Sequence, residues 1–232
     1  MKKNIYQKNN KTYLKKKVQD KEYFKDITKY LKKYKTQLDL IDVGCASGDF
    51  LKNLSKQKNF NLTGVDFSKE LISLARTKVP SANFFVKDIK KINLKKKFNI
   101  CTCLGTLSVF DDKFKIISKL INMTKNKGEL IFFDPINNYN VNVIMRYQDN
   151  FKKNSKWLSA FNIFSKEHWI SNIIKNKKVK NVKFTKFKFP FPLKRSLKNP
   201  MNAWTFKLKN ENQIMTGTGQ LLNFYIIKIK LI

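Results

Sequence analysis

The chain has 232 residues, with 49 Lys and Arg against 16 Asp and Glu and a formal net charge of +33. With 42% hydrophobic and 13% aromatic residues it can bury a core, so the charge does not imply disorder; seven glycines and five prolines exclude collagen-like, Pro-rich and flexible-linker classes. Only Arg76, Arg146 and Arg195 are Arg. A Lys excess beside heavy use of Asn, Ile and Phe reads as AT-rich coding and a solvated surface, ahead of a nucleic-acid track, which would favour the planar fork of Arg.

Residues 1–36 are expected to be an N-terminal arm and helix, a lid or cap. The first 19 are polar, with Tyr6, Tyr13 and Leu14 as apolar anchors; from Asp20 to Lys35, Tyr23, Phe24, Ile27, Tyr30, Leu31 and Tyr34 recur at helical spacing. Residues 37–134 alternate short apolar runs with amphipathic stretches: strand 38–43, a helix from Phe50, strand 61–65, helix 68–78, strands 83–86 and 98–103, helix 111–122 and strand 128–133. That rhythm predicts βαβ units, and strand 98–103, apolar on both faces, reads as central. Residues 135–232 break it. An Asn- and aromatic-rich stretch to 164 is followed by a helix capped by Ser165 and by β-rich runs at 180–189, 203–208, 213–216 and 221–231, with a turn at Asn210-Glu211-Asn212. The expected fold class is α/β: an open, mostly parallel seven-stranded Rossmann-like sheet with helices on both faces and an antiparallel last strand pair.

Cys101 and Cys103 form C-x-C in an apolar run and read as core, and no Cys/His cluster suggests a metal. Three cysteines without a disulfide framework suit a reducing compartment. The basic N-terminus lacks an apolar h-region, and the apolar run Phe98–Phe110 is shorter than a bilayer span. A cytoplasmic protein without membrane insertion is expected.

The informative stretch is Asp42-Val43-Gly44-Cys45-Ala46-Ser47-Gly48. A strand ending in a glycine turn that opens a helix lets backbone N–H groups approach a ligand. The next strand ends at Asp66, placed to accept hydrogen bonds from ribose hydroxyls. The turn lacks the third glycine of G-x-G-x-x-G, and no G-x-x-x-x-G-K-[ST] occurs, which disfavours nicotinamide and P-loop nucleotides. Past the third strand, Asp88 could bind an adenine amine while Ile89 packs the ring.

These residues resemble the class I S-adenosylmethionine (SAM) dependent methyltransferases. Asp42-x-Gly44-x-Ala46-x-Gly48 looks like motif I, Asp66 the ribose acid and Asp88-Ile89 the adenine contact. Cys103-Leu104-Gly105-Thr106 looks like the segment along the methionine end, and Asn126-Lys127-Gly128 the turn into strand five. The departure is Ala46, where glycine is commonest. The resemblance covers about residues 20–134 and implies SAM as cofactor, S-adenosylhomocysteine (SAH) as product, and cofactor contacts from Asp42, Gly44, Cys45, Ala46, Gly48, Asp66, Phe67, Asp88, Ile89 and Leu104. Residues 142–147, 161–165, 203–206 and 216–222 are similar to small-molecule methyltransferases found with bacterial surface-polysaccharide genes.

The resemblance implies in-line methyl transfer to an O or N atom of a small metabolite or a nucleotide-sugar or surface-glycan precursor. A tRNA or rRNA acceptor using the Lys-rich surface is the alternative, disfavoured because Leu104-Gly105-Thr106-Leu107 stands where an Asn/Asp-Pro-Pro-aromatic motif is expected. A SAM-fold binding protein without catalysis is the second. The general base is left open, with Asp134, expected just after strand five, and His168, the only histidine, as candidates. Tyr13, Tyr139, Arg146, Tyr147, Trp157 and Trp204 are candidates to line the acceptor pocket, and the scarce Arg146 suggests an anionic acceptor or else a surface ion pair. Oligomeric state is not legible.

Overall fold

The computed structural model describes residues 14, 21–150, 153–190, 192–195, 203–208, 211–217 and 219–232. Tyr6 and Tyr13 lie outside the described residues. In chain order the first half runs α1 (Glu22–Leu31), β1 (Leu38–Val43), α2 (Asp49–Leu54), β2 (Phe60–Asp66), α3 (Lys69–Lys78), β3 (Asn83–Val86), β4 (Phe98–Leu104), α4 (Lys113–Met123) and β5 (Thr124–Asn137). The second half runs β6 (Arg146–Tyr147), β7 (Leu158–Ser159), β8 (Phe164–Ser165), α5 (Lys166–Ile173), β9 (Val179–Lys186), β10 (Trp204–Leu208), β11 (Glu211–Met215), β12 (Leu221–Leu222) and β13 (Phe224–Leu231).

The main sheet has the order β3-β2-β1-β4-β5-β13-β9. Strands β1 to β5 are parallel, and β13 is antiparallel to both β5 and β9. Alternation along the strands explains the two-sided burial. Leu40, Ile100 and Phe133 face α1, α2 and α3, packing with Phe24, Ile27, Phe50 and Ile72. Ile41, Cys101, Cys103 and Phe132 face α4 and α5, packing with Ile117, Leu120 and Trp169. Both cysteines of the C-x-C are buried free thiols. No helix among the described residues is long and apolar enough to cross a membrane.

Four expectations shift. The first helix ends at Leu31 rather than Lys35, and Tyr30 and Tyr34 donate their hydroxyls to Glu129 of β5 at 2.5 and 2.7 Å. Strand five is much longer than 128–133. It absorbs the Asn126-Lys127-Gly128 turn as an irregularity, with Lys127 at φ 57°, and runs through Pro135 opposite Phe224. The last run divides at Asn223: Leu221–Leu222 joins a three-stranded sheet with β10 and β11, and the remainder enters the main sheet. Glu211 and Asn212 belong to β11 rather than to a turn; Asn210 lies outside the described residues.

Candidate functional site

The chain leaves β1 at Val43 and makes a tight turn in which Gly44, Ala46 and Gly48 all have left-handed backbones, at φ 80°, 48° and 76°. The Gly44 and Cys45 N–H groups donate to Val65 O at 2.7 and 3.0 Å, which ties the turn to the end of β2. Glycine is required at Gly44 twice over. Its φ disfavours an L side chain, and an added Cβ would stand 2.8 Å from Thr106 Cγ2 and closer still to Oγ1. At Gly48 an added Cβ would meet Ala75 Cβ at 3.1 Å, so this glycine lets α2 approach α3. Beneath the turn, the buried Lys78 ammonium donates to Asp49 Oδ1 at 2.6 Å and to Ser47 Oγ at 3.0 Å.

Asp66 sits against this turn. Its Oδ2 accepts from the Ala46 N–H and its Oδ1 from the Ser68 N–H, both at 3.0 Å. A carboxylate has about four acceptor sites, so lone pairs remain for a diol after both amides are bound. Burial raises the Asp66 pKa, opposed by the N–H groups of Ser68, Ala46 and Phe67. Asp42 is also buried and accepts from Thr102 Oγ1 at 2.6 Å. Burial pushes its carboxyl up to about 7, the Thr102 hydrogen bond opposes this, and nearby Asp66 adds to it. Asp88, two residues past the Asp66–Val86 pair, is exposed and caps a short 3₁₀ turn by accepting from Lys90 N at 2.8 Å. Ile89 is buried, whereas Phe67 is half-buried.

The end of β4 closes the other side. Leu104 is nearly buried, Gly105 has φ 70° and donates to Phe133 O at 2.9 Å, and Thr106 leans on Gly44. Tyr23 of α1 stacks on Phe133 at 3.9 Å, and its hydroxyl lies 3.6 Å from where a Gly105 Cβ would be. Burial and the Asp42 charge raise this phenol, keeping it a donor. Thr106 falls in the segment expected along the methionine end, whereas Tyr23 and Thr102 were not legible as site residues. Tyr23 shows only as one apolar position of a helical face, and Thr102 becomes special only when β1 and β4 pair.

Residues 40–128 match the family model described as a methyltransferase domain. That segment, which carries the glycine turn and Asp66, is similar to methyltransferase domains. Malonyl-[acyl-carrier protein] O-methyltransferase 1 of Ilyobacter polytropus is 26% identical over 102 residues, covering 42% of this chain and 38% of that one. Trans-aconitate 2-methyltransferase of an Enterobacter species is 28% identical over 100 residues, covering 43% and 40%. The chain thus spans well under half the length of these curated relatives. Among solved structures, the N-methyltransferase NodS of Bradyrhizobium japonicum, in complex with SAH, shares the fold over 99% of both chains, at 13% identity and a TM-score of 0.58. A SAM-dependent methyltransferase of Methanosarcina mazei covers 87% of this chain and 95% of its own, at 14% identity and a TM-score of 0.58.

Among the described residues the acceptor-side candidates do not converge on the turn. Asp134 does not follow strand five but lies inside it, fully buried, with Lys113 Nζ on its Oδ2. Burial raises the Asp134 pKa to about 6, opposed by Lys113 and the Ser108 N–H, and lowers that of Lys113. A carboxylate held this way is a structural ion pair, not a base open to an acceptor. His168 is in the first turn of α5, where Ser165 Oγ accepts its N–H at 3.0 Å; its ring packs on Phe114 and Phe164, on the α4 side of the sheet. Arg146 pairs with Asp111 at 2.6 Å with both side chains well exposed, so the surface ion pair prevails and the anionic-acceptor argument loses its carrier. Tyr139 and Trp157 are 79% and 68% exposed. Tyr147 is half-buried in β6, and Trp204 lies under Arg195 at 5.0 Å.

Proposed function

We propose that this chain transfers the methyl group of SAM to an oxygen or nitrogen of a small-molecule acceptor. The observation that carries the reading is the left-handed turn 44–48 set against Asp66. Gly44 without a Cβ lets the turn close against Thr106 at the end of β4, and Asp66, oriented by two amides, keeps lone pairs for ribose hydroxyls. Asp42, Leu104 and Thr106 would flank the methionine end, with Asp88 and Ile89 at the adenine end. When bound, the cofactor supplies an already activated sulfonium methyl group. The chain's task is to hold the nucleophile in line with it, a positioning effect of roughly 7–11 kcal/mol in well-oriented systems.

Beyond Gly105 the site is backed by an aromatic group. Phe133 stacks on both Tyr23 and Phe224, at 3.9 and 5.0 Å, with Phe187 edge-on to Tyr23 and Phe133. All four rings are buried, so they brace the ends of β4 and β5 rather than offer open carbon surface.

Calorimetry with SAM and SAH tests the cofactor half, and SAH release across small molecules bearing hydroxyl or amine groups tests the rest. Both ligands should bind, and Asp66→Ala should weaken SAH by about 1.5–3 kcal/mol, the scale of hydrogen bonds to a charged group. Failure of SAM and SAH to bind the wild-type chain sinks the proposal.

A further inference from the structure

A second charged feature lies away from the turn. Leu40, Ile100 and Glu129 are level across β1, β4 and β5, and Gly44 is four residues further along β1, about 13 Å at strand rise. At the Glu129 level, on the α1 side, four lysines meet. Lys230 is paired with Glu129, and Lys228, two residues back on the same face, is paired with Lys183 of the edge strand β9. Lys33, just past α1, reaches the same place: its ammonium and that of Lys228 lie 3.7 and 3.8 Å from the centre of the Tyr30 ring. Neighbouring strands are about 4.8 Å apart, and residues i and i+2 about 7 Å, so the three sheet lysines root within one small patch.

Their charge is poorly compensated. Glu129 is the carboxylate facing them, a single negative charge against four positive ones; its oxygens accept from the Tyr30 and Tyr34 hydroxyls, and Lys33 stands 3.5 Å from Oε2. Burial lowers the pKa of Lys228, opposed by Glu129 and reinforced by Lys183, Lys33 and Lys230; burial and Lys230 lower that of Lys33, again against Glu129. Mutual repulsion of this kind is relieved by an anion that contacts several ammoniums together. Asn181, Lys183 and Thr185 are exposed on the same face, where the two neutral side chains add donors.

We infer that Lys33, Lys183, Lys228 and Lys230 form a second site, remote from the cofactor turn, for a compact multivalent oxyanion such as a pyrophosphate group. Compactness argues against a polynucleotide track, which needs phosphate contacts spread along a groove and aromatic faces free to stack bases. Here the Tyr30 ring already carries two ammoniums. Lys point charges suit a small, strongly charged oxyanion, which needs no planar fork.

The test is calorimetric titration of the full chain with inorganic pyrophosphate, with sulfate at matched ionic strength as the reference. The variants are Lys183→Gln/Lys228→Gln and a control, Lys56→Gln/Lys58→Gln, which removes the same charge from exposed positions elsewhere. Pyrophosphate should bind more tightly than sulfate and raise the melting temperature. The cluster variant should weaken it at least about ten-fold, the control less than about two-fold. Equal weakening by both variants, or no preference over sulfate, overturns the site. A single-stranded oligonucleotide that outcompetes pyrophosphate at this cluster with a steep salt dependence overturns the ligand class.

Discussion

Gly44→Ala tests whether the turn is shaped by two separable constraints. At φ 80° an alanine pays the left-handed cost of roughly 1–2 kcal/mol. Its Cβ would also stand 2.8 Å from Thr106 Cγ2 and 3.1 Å from Thr106 Cβ, an overpacking cost of about 1–3 kcal/mol. The sum, about 2–5 kcal/mol, corresponds to a melting-temperature loss of roughly 5–15 °C for a chain of this size. Thr106→Ala removes the two nearest offending atoms and leaves φ unchanged. In a double-mutant cycle followed by urea denaturation, it should therefore return the steric part, about 1–3 kcal/mol, but not the conformational part. SAH affinity should follow the same pattern, because the N–H groups of the turn are displaced only while the clash persists. Strict additivity of the two substitutions, or a Gly44→Ala chain as stable as wild type, would refute the reasoning.

Ala46→Gly should stabilise the chain by about 0.5–1 kcal/mol, the left-handed cost at φ 48° less the extra backbone entropy of glycine; chemical denaturation reads it directly. Lys113→Met leaves Asp134 buried without its cation and should cost about 3–5 kcal/mol, while Lys113→Met/Asp134→Leu should recover most of that; equal losses would show that the pair is not the cause. For Asp42, the folded-state pKa near 7 lies above the unfolded value near 4, so the folded state holds the extra proton. Relative to Asp42→Asn, the wild-type chain should lose stability as pH rises from about 4 through 7, and a parallel pair of stability–pH curves would contradict this. Arg146→Gln should change stability by no more than about 1 kcal/mol and leave SAH binding intact, since its partner Asp111 is itself half exposed.

The cofactor half was readable because its determinants are local. A β-rich run such as Leu38–Val43, a glycine turn and an acid at the next strand tip announce themselves within a few dozen residues. Strand five was only partly readable: Asn126-Lys127-Gly128 and Asp134-Pro135 both look like punctuation, yet pairing with β4 and β13 carries the strand through them. The acceptor side was least readable. Scarcity singled out Arg146 and His168, and aromaticity Tyr139 and Trp157, but scarcity and aromaticity do not specify burial. Lys78 and Lys113 were hidden for the opposite reason, since in a Lys-rich chain no single lysine stands out until the fold encloses it.

That enclosure turns two common side chains into internal clocks. An amine-directed labelling reagent acting on the native chain meets exposed lysines at once, whereas Lys113 has no exposed surface and Lys78 little. Modification at Lys78 would time the loosening of the glycine turn from α3, and modification at Lys113 the separation of α4 from β5. Mass spectrometry of partly labelled chains could thus order the opening of the two faces of the sheet without any engineered probe.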